Sequence, residues 1–507
     1  MNKKETFGSG VAIQYAAVFS MFLSSTIFYF LIAHLLSTTL VGSISLIYAI
    51  MSISGVFFVL GFSQGLEHFI SYHLSRGNYK NVRAIIRRIS MLAIASSIFA
   101  FFALYLLSPI IAIKLFHSYF YVTFIRIIGI AVSAFVIRDL FSSILLGLKH
   151  YRTYSLSYIF VNIFSYFFPI LLLLFSGKAM YVIIGMAISG IINAILFIVL
   201  IYRVYFSIER NSKYETIDPF KSIFAYSFPL FFASIMTTSA NYLDRIVVSY
   251  FLNLSYMGIY NFALVISSMA TVLIMPITNI LIPRLSAYFS LNDIEGFRTS
   301  IRTLLNTASL IYIPGALGIA ALGRITLYNF AGRNYTMAYV PIIIIMVVSS
   351  LFVGSVILAA GIKSVRQSKI FLYSSGLALA SNLIFSILLI PKFLIIGASI
   401  SYSSMTAVNF LIIFHYARKF HVSNYDLKTI GKIWTASLLM FFIIFYLQSV
   451  FTYNIPVEIL YIFFGIAIYM VEIKIFKIIN IDELSFVLTV IPERFKRTRN
   501  MLRFLSS

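Results

Sequence analysis

Cut at its polar breaks, the chain yields about fourteen apolar stretches of roughly 20 residues or more, each long enough to cross ~30 Å of hydrocarbon as a helix. Lipid offers the backbone no hydrogen bonds, so each stretch must satisfy its own amides and carbonyls, which dictates helices. The spans fall near 11–34, 40–70, 89–113, 119–147, 154–175, 179–204, 222–250, 257–282, 304–322, 337–361, 370–390, 393–416, 431–450 and 456–478. The basic residues occupy alternate gaps. Thirty lie in segments that share a side with the N-terminus, from Lys3 and Lys4 through Arg76–Arg88 to the tail beyond Lys474. Only Lys114, Lys178, Arg324, Arg333 and Lys392 lie in the others. Lys and Arg near span ends resist translocation, so this bias predicts cytoplasmic N- and C-termini and an even number of crossings. Arg126, Arg138 and Arg245 belong to neither set, because they sit inside or at the edge of apolar stretches.

Composition narrows the function. With 61% hydrophobic and 10% charged residues and a mean hydropathy of +0.98, most of the chain is embedded in membrane, and no linker is long enough for a separate soluble domain. The stretch Val11–His34 exceeds a signal-peptide core and is expected to stay as a helix of a multi-pass plasma-membrane protein. The net charge of +23 does not point to nucleic acid, since the bases lie in short loops where topology and anionic lipid headgroups account for them. No cysteine is present, which excludes disulfides and thiolate chemistry. The seven His are scattered and form no metal motif, and no phosphate-binding loop occurs, because Gly431-Lys432 runs into Ile433. Large loops with acidic motifs, as membrane glycosyltransferases carry, are also missing. The chain is expected to be no enzyme and to need no cofactor or metal.

An internal repeat organises the spans. The segment 35–46 resembles 251–262, pairing Gly42 with Gly258, and 70–88 resembles 285–303, pairing Arg83 with Arg298 and Arg87 with Arg302. The offsets are nearly equal, and each match follows the first span of a six-span block. The expected fold is therefore all-α and polytopic, with two six-helix lobes as parallel repeats plus two C-terminal helices. The lobes read as 1–204 and 222–420, joined by a cytoplasmic linker at 205–221 and followed by two helices and a basic tail at 421–507. Pro169, Pro229, Pro276, Pro314 and Pro341 are candidate kinks. The stretch Pro283–Arg302 reads as an amphipathic helix on the cytoplasmic face.

Charges inside the membrane are costly, at least ~2.5 kcal/mol at mid-bilayer, and so face cavities or partners. Arg138 and Asp139 lie deep in the fourth span, with Arg126 nearer its outer end; Asp244 and Arg245 come late in the seventh. Sequential neighbours on a helix point about 100° apart, so neither pair neutralises itself. Two arrangements fit. Asp244 and Arg126, at similar depth, pair between lobes as a latch; or the arginines line a cationic cavity and bind phosphate oxygens through bidentate hydrogen bonds. For Arg138 the second fits better. Glu67, His68 and His34 lie near span ends, where water reaches them.

The string at 224–263, with Tyr226 to Pro229, Tyr242 to Arg245 and Gly258 to Ala263, resembles the second half of Wzx-type polysaccharide flippases. The segments 283–293 and 145–163 are also similar to that family, which belongs to the multidrug/oligosaccharidyl-lipid/polysaccharide exporter superfamily. The resemblance implies a flippase that carries a polyprenyl- or dolichyl-linked oligosaccharide to the outer leaflet by alternating access through a cationic cavity. Arg138, Arg126 and Arg245 would then hold the substrate phosphate, and Asp244 and Asp139 would serve as gate or ion-coupling residues. The implied partners are the lipid-linked glycan, membrane lipids and a glycan polymerase or transferase. Multidrug extruders of the superfamily place an acidic residue in the first span, and lipid II flippases an arginine; 11–34 holds neither. A non-transporting membrane scaffold is the remaining alternative, and intramembrane charges count against it.

Overall fold

The computed structural model describes residues 7–207, 220–291, 293–365, 369–420, 425–450 and 454–478. Among the described residues every regular element is helical, and thirteen helices are long and apolar enough to cross a membrane. The longest, Lys369–Lys419, breaks at Leu394, whose φ of 54° and ψ of −134° are not helical. Its arms, 369–393 and 395–419, each suffice to span, so the helices supply the fourteen expected crossings. The chain is a multi-pass membrane protein.

The chain divides into two compact units, Met1–Gly258 and Ile259–Ser507. The first contains α1 (Phe7–Leu35), α2 (Thr38–Val59), α3 (Phe62–Ser75), α4 (Tyr79–Phe116), α5 (Val122–Gly147), α6 (Tyr151–Ser176), α7 (Ala179–Ser207) and α8 (Phe220–Phe251). Helix α5 lies at its centre, packed against α2, α3, α4, α6 and α7. Polar side chains tie these helices through backbone carbonyls, the arrangement that lipid favours because the alternative is an unbonded group in hydrocarbon. Ser96 Oγ donates to Phe58 O at 2.5 Å, Ser133 Oγ to Ser97 O at 2.6 Å and Asn162 Nδ2 to Ala17 O at 2.8 Å.

The second unit holds α10 (Ile294–Phe330), α11 (Tyr339–Leu351), α12 (Gly354–Ser364), α13 (Lys369–Lys419), α14 (Leu427–Val450) and α15 (Ile455–Ile475). Most of α9 (Leu254–Ser290) also belongs there. Its hub is α10, against which the last two helices pack: Gln448 Nε2 donates to Ala321 O at 2.7 Å and the Tyr469 hydroxyl to Leu310 O at 3.0 Å. At the start of α14, Asp426 accepts from Arg302 at 2.6 Å and from the Thr429 amide and hydroxyl. The Arg302 hydrogen bond, ahead of the Thr429 bonds, holds this carboxyl down at about 2.

The repeat is visible in the helix caps. Helix α2 begins at Thr38 after Ser37, whose hydroxyl accepts from Leu40 N; α9 begins at Leu254 after Asn253, whose side chain accepts from Tyr256 N. Helix α4 begins after Asn78, which accepts from Asn81 N, and α10 after Asp293, which accepts from Gly296 N. The two pairs of starts are 216 and 215 residues apart, the offsets at which the sequence segments match. A side-chain acceptor three residues before the donor is the N-cap arrangement, so the repeat preserves helix starts more faithfully than residue identity.

Three expected elements divide differently. The span at 40–70 is two helices, because Leu60 and Gly61 both take left-handed φ, 55° and 69°. The span at 337–361 comprises a 3₁₀ turn, Arg333–Ala338, followed by α11 and α12. The surface helix expected at Pro283–Arg302 does not form as one element: α9 ends at Ser290, and the Asp293 cap starts α10. An acidic residue with an amide donor three positions on competes with helix continuation there. Pro169, Pro229 and Pro314 lie inside α6, α8 and α10, which continue past them.

The Leu60–Gly61 break positions the site. A Cβ at Gly61 would lie 2.6 Å from Phe231 N and 2.7 Å from Ser227 O, so the turn sits directly against the backbone of α8. At its other end α8 is held to α4, where His117 Nε2 meets Ser249 O at 3.2 Å and Ser249 Oγ donates to Leu115 O at 2.5 Å. Gly61→Ala combines left-handed strain with overpacking and is expected to cost roughly 2 to 4 kcal/mol. Thermal unfolding of the detergent-purified protein should show the loss, with Gly77→Ala, also at positive φ but free of neighbours within 4 Å, falling less.

Candidate functional site

Two helices of the first unit bring an arginine of the same design to one place. Arg138 on α5 lies over the ring of Phe135, 4.5 Å from its centroid, and Arg245 on α8 over Tyr242, also at 4.5 Å. In each case the ring is three residues earlier, the spacing that places side chains side by side on a helix. A guanidinium over an aromatic face gains about 2 kcal/mol or more when desolvated, a partial substitute for water. Both guanidinium groups lie within electrostatic range of the Tyr48 hydroxyl on α2, and Arg245 also within range of Tyr29 on α1.

Tyrosines complete this cluster. The Tyr48 hydroxyl is 3.1 Å from that of Tyr166 on α6, and the Tyr48 and Tyr242 rings are 6.5 Å apart. Phe28, fully buried, supports Tyr29 and Tyr166 from behind at 5.2 and 5.6 Å between centroids. Tyr166 belongs to a stripe on α6, with Tyr154, Tyr158 and Asn162 at four-residue spacing, which the 3.6-residue period aligns along one face. Five helices therefore contribute hydroxyl and guanidinium donors at membrane depth.

The two aspartates beside these arginines have partners of their own. Asp139 accepts from Ser63 Oγ on α3 at 2.5 Å, away from Arg138 by the turn of the helix. Among the described residues Arg138 forms no salt bridge, and its Nε is buried without a hydrogen-bond partner. Asp244 is fully buried, and its Oδ1 accepts from the Arg245 backbone amide at 2.9 Å.

Arg126 is not part of this cluster. It faces α4, donating from Nε to Ser108 Oγ at 3.3 Å and stacking at 4.4 Å on Tyr105, which is 40% exposed. Among the described residues no salt bridge joins it to Asp244, the latch that the sequence allowed. His34 is exposed at the end of α1. Glu67 and His68 lie on the exposed side of α3, with the His68 ring stacked on Tyr226 at 5.0 Å. Sequence reasoning missed the tyrosines and Ser63. The tyrosines were legible in principle, because Phe135-x-x-Arg138 repeats Tyr242-x-x-Arg245 and the α6 stripe is periodic; Ser63 carries no such signal.

This unit falls within the region that comparison with known proteins assigns. A family profile described as polysaccharide biosynthesis protein matches residues 7–289. The chain belongs to that family. Among curated relatives, the probable low-salt glycan biosynthesis flippase Agl15 of Haloferax volcanii is 23% identical over 263 residues, covering 52% of this chain and 56% of Agl15. The capsular polysaccharide biosynthesis protein CapF of Staphylococcus aureus is 25% identical over 219 residues, covering 42% of this chain and 54% of CapF. The match thus spans about half the length of these relatives. Among solved structures, the lipid II flippase MurJ in an inward closed conformation has a TM-score of 0.73 at 19% identity, covering 92% of this chain and 98% of MurJ. An inward-facing multidrug resistance MATE transporter has a TM-score of 0.64 at 12% identity, covering 79% and 94%. These likenesses establish the shared fold.

If Arg138 serves the fold, its removal should destabilise the protein; if it is kept for a ligand, removal relieves a desolvated charge. Replacing unpaired buried charge by an apolar side chain of similar volume is often neutral or stabilising. Arg138→Met is expected to melt at or above the wild-type temperature, whereas Phe28→Ala should lose about 3 to 5 kcal/mol. Thermal-shift measurement on both purified variants decides it.

Proposed function

We propose that this protein is a flippase for a polyprenyl- or dolichyl-linked oligosaccharide, and that Arg138 and Arg245 bind its phosphate or diphosphate. The observation that carries the reading is Arg138: a membrane-embedded guanidinium with an unbonded buried Nε, beside a second arginine and four tyrosines. Guanidinium offers paired, charge-assisted donors that match phosphate oxygens, and the tyrosine hydroxyls add neutral donors around them. The lipid tail stays in the bilayer while the headgroup crosses. Membership of the polysaccharide biosynthesis family supports the substrate class, as does the similarity to Agl15.

The basic bias of the loops supports placing the end that carries Arg76, Lys149 and Arg152 in the cytoplasm, so the substrate is loaded from that side. Asp139 and Asp244 flank the two arginines in sequence and are the groups proposed to gate or couple transport. A glycan polymerase or transferase outside would consume the product and pull the cycle forward. The MATE likeness raises the extruder as a second reading, against which α1 carries no Asp or Glu. Arg126, held by Tyr105 and Ser108, is assigned the task of fixing α5 to α4 rather than contacting phosphate.

Arg138→Ala and Arg245→Ala are each expected to abolish surface display of the glycan at near-normal membrane abundance, with lipid-linked glycan accumulating on the cytoplasmic side. Normal display with Arg138→Ala removes that residue from the mechanism, and unchanged glycans with altered drug sensitivity favour the extruder. Orientation has its own test, because the chain has no native cysteine. Lys178→Cys should react with an impermeant maleimide in intact cells, and Arg152→Cys only after permeabilisation.

A further inference from the structure

A second polar site lies in the same unit, toward the end that carries Lys149 and Arg152. A cavity of about 430 Å³ is lined by Gln64, Glu67, His68, Ser71, Tyr72 and Tyr151, with Ser75 and Leu146 at its edge. Its polar wall is one face of α3: positions 64, 67, 68, 71, 72 and 75 follow the i, i+3, i+4, i+7 spacing, while Phe62, Leu66 and Ile70 are buried on the other face. Helix α3 is thus amphipathic, with its polar stripe turned into a hollow. His68 is kept flat by stacking on Tyr226.

The chemistry of the lining is specific. It presents a carboxylate, an amide, a histidine ring, serine hydroxyls and two tyrosines, and no Lys or Arg. Arg76 stays outside the lining, over the Tyr72 ring at 4.2 Å. Among the described residues Glu67 forms no salt bridge, so its oxygens remain acceptors for ligand hydroxyls. Acceptors and donors set beside aromatic faces suit a ring that bears hydroxyls on its edge and C–H groups on its faces. The single negative charge disfavours a carboxylate-bearing ligand, because like charges at close range repel.

The cavity and the arginine site share helix α5. Helix α5 contributes Leu146 to the lining and Arg138 to the cluster, two helical turns apart, or about 12 Å. Between them lie Asp139 with its Ser63 bond, and Ser142 within 3.5 Å of the Tyr158 hydroxyl. Tyr154 lies within electrostatic range of both Asp139 and Glu67.

Resting on the flippase reading above, we propose that this cavity is a sugar subsite. It receives the saccharides nearest the phosphate while Arg138 and Arg245 hold the phosphate itself, and it selects neutral or amino sugars over uronic acids there. The α3 stripe fixes the sugar through Glu67 and Gln64, and the tyrosines cover its faces.

The test uses the full chain in lipid nanodiscs and native mass spectrometry with three probes: a polyprenyl diphosphate without sugar, a polyprenyl diphosphate bearing a neutral disaccharide, and the same lipid bearing a uronic acid next to the phosphate. The wild type is expected to bind the disaccharide lipid about tenfold better than the sugar-free lipid, the effect of roughly one charged-group hydrogen bond, and better than the uronic acid lipid. The double variant Gln64→Ala, Glu67→Ala should lose that tenfold preference. Glu67→Gln, which keeps shape and hydrogen bonding, should keep the disaccharide preference and lose the discrimination against the uronic acid. Binding of all probes with no sugar preference, or a preference that survives the double variant, overturns the subsite alone. Failure to bind any of the three overturns it together with the flippase reading.

Discussion

A guanidinium group cannot shed its charge, so a chain that places one in hydrocarbon must supply something else in place of water. The first unit is built around that constraint. At all three membrane-embedded arginines the substitute is an aromatic face, 4.4 or 4.5 Å from the guanidinium carbon. A neutral ring lowers the cost of burial without cancelling the charge, which leaves Arg138 able to attract an anion. A carboxylate in the same position would have formed a closed ion pair, stable and inert. Asp139, adjacent in sequence to Arg138, is instead bonded to Ser63.

The surrounding fold follows from this need. Helix α8 carries Arg245 and has to be pressed against α2 and α3 to bring it near Tyr48 and Arg138. The left-handed turn at Leu60–Gly61 permits the close approach at one end, and the His117 and Ser249 bonds hold the other. The break also ends α2 and starts a separate helix, α3, whose polar stripe would be unfavourable as the continuation of an apolar span. One turn thus serves both polar regions of the unit. Arg126 shows the contrasting case, a cation near the outer face of the unit satisfied by Tyr105 and Ser108 on α4.

The proposed pairing of an arginine-tyrosine cluster with a hydroxyl-rich cavity suits a headgroup that changes character along its length. Phosphate needs donors and positive charge, whereas sugars need mixed donors and acceptors with flat apolar faces. Helix α5 runs past both, with Arg138 in the cluster and Leu146 at the edge of the cavity whose polar wall is α3. Membership of the polysaccharide biosynthesis family is consistent with such a ligand.

Much of the fold was already determined by the amino-acid order. Apolar length alone set the number of crossings, because hydrocarbon thickness leaves no other use for so many uncharged runs of that size. Repeated cap residues, Ser37 with Asn253 and Asn78 with Asp293, set the starts of matching helices through local bonds three residues long. The presence of Arg138, Arg245 and their sequential aspartates was equally plain, since charge in an apolar run is conspicuous. What those charges face was decided only by tertiary structure. Arg126 and Arg138 share a helix and differ in environment because one meets α4 and the other meets α2, and no local rule encodes which. The split of 40–70 into two helices likewise arises from packing of Gly61 against α8, more than a hundred residues away, and the cavity beside α3 from its approach to Leu146 and Tyr151; both override the preference of a single apolar stretch.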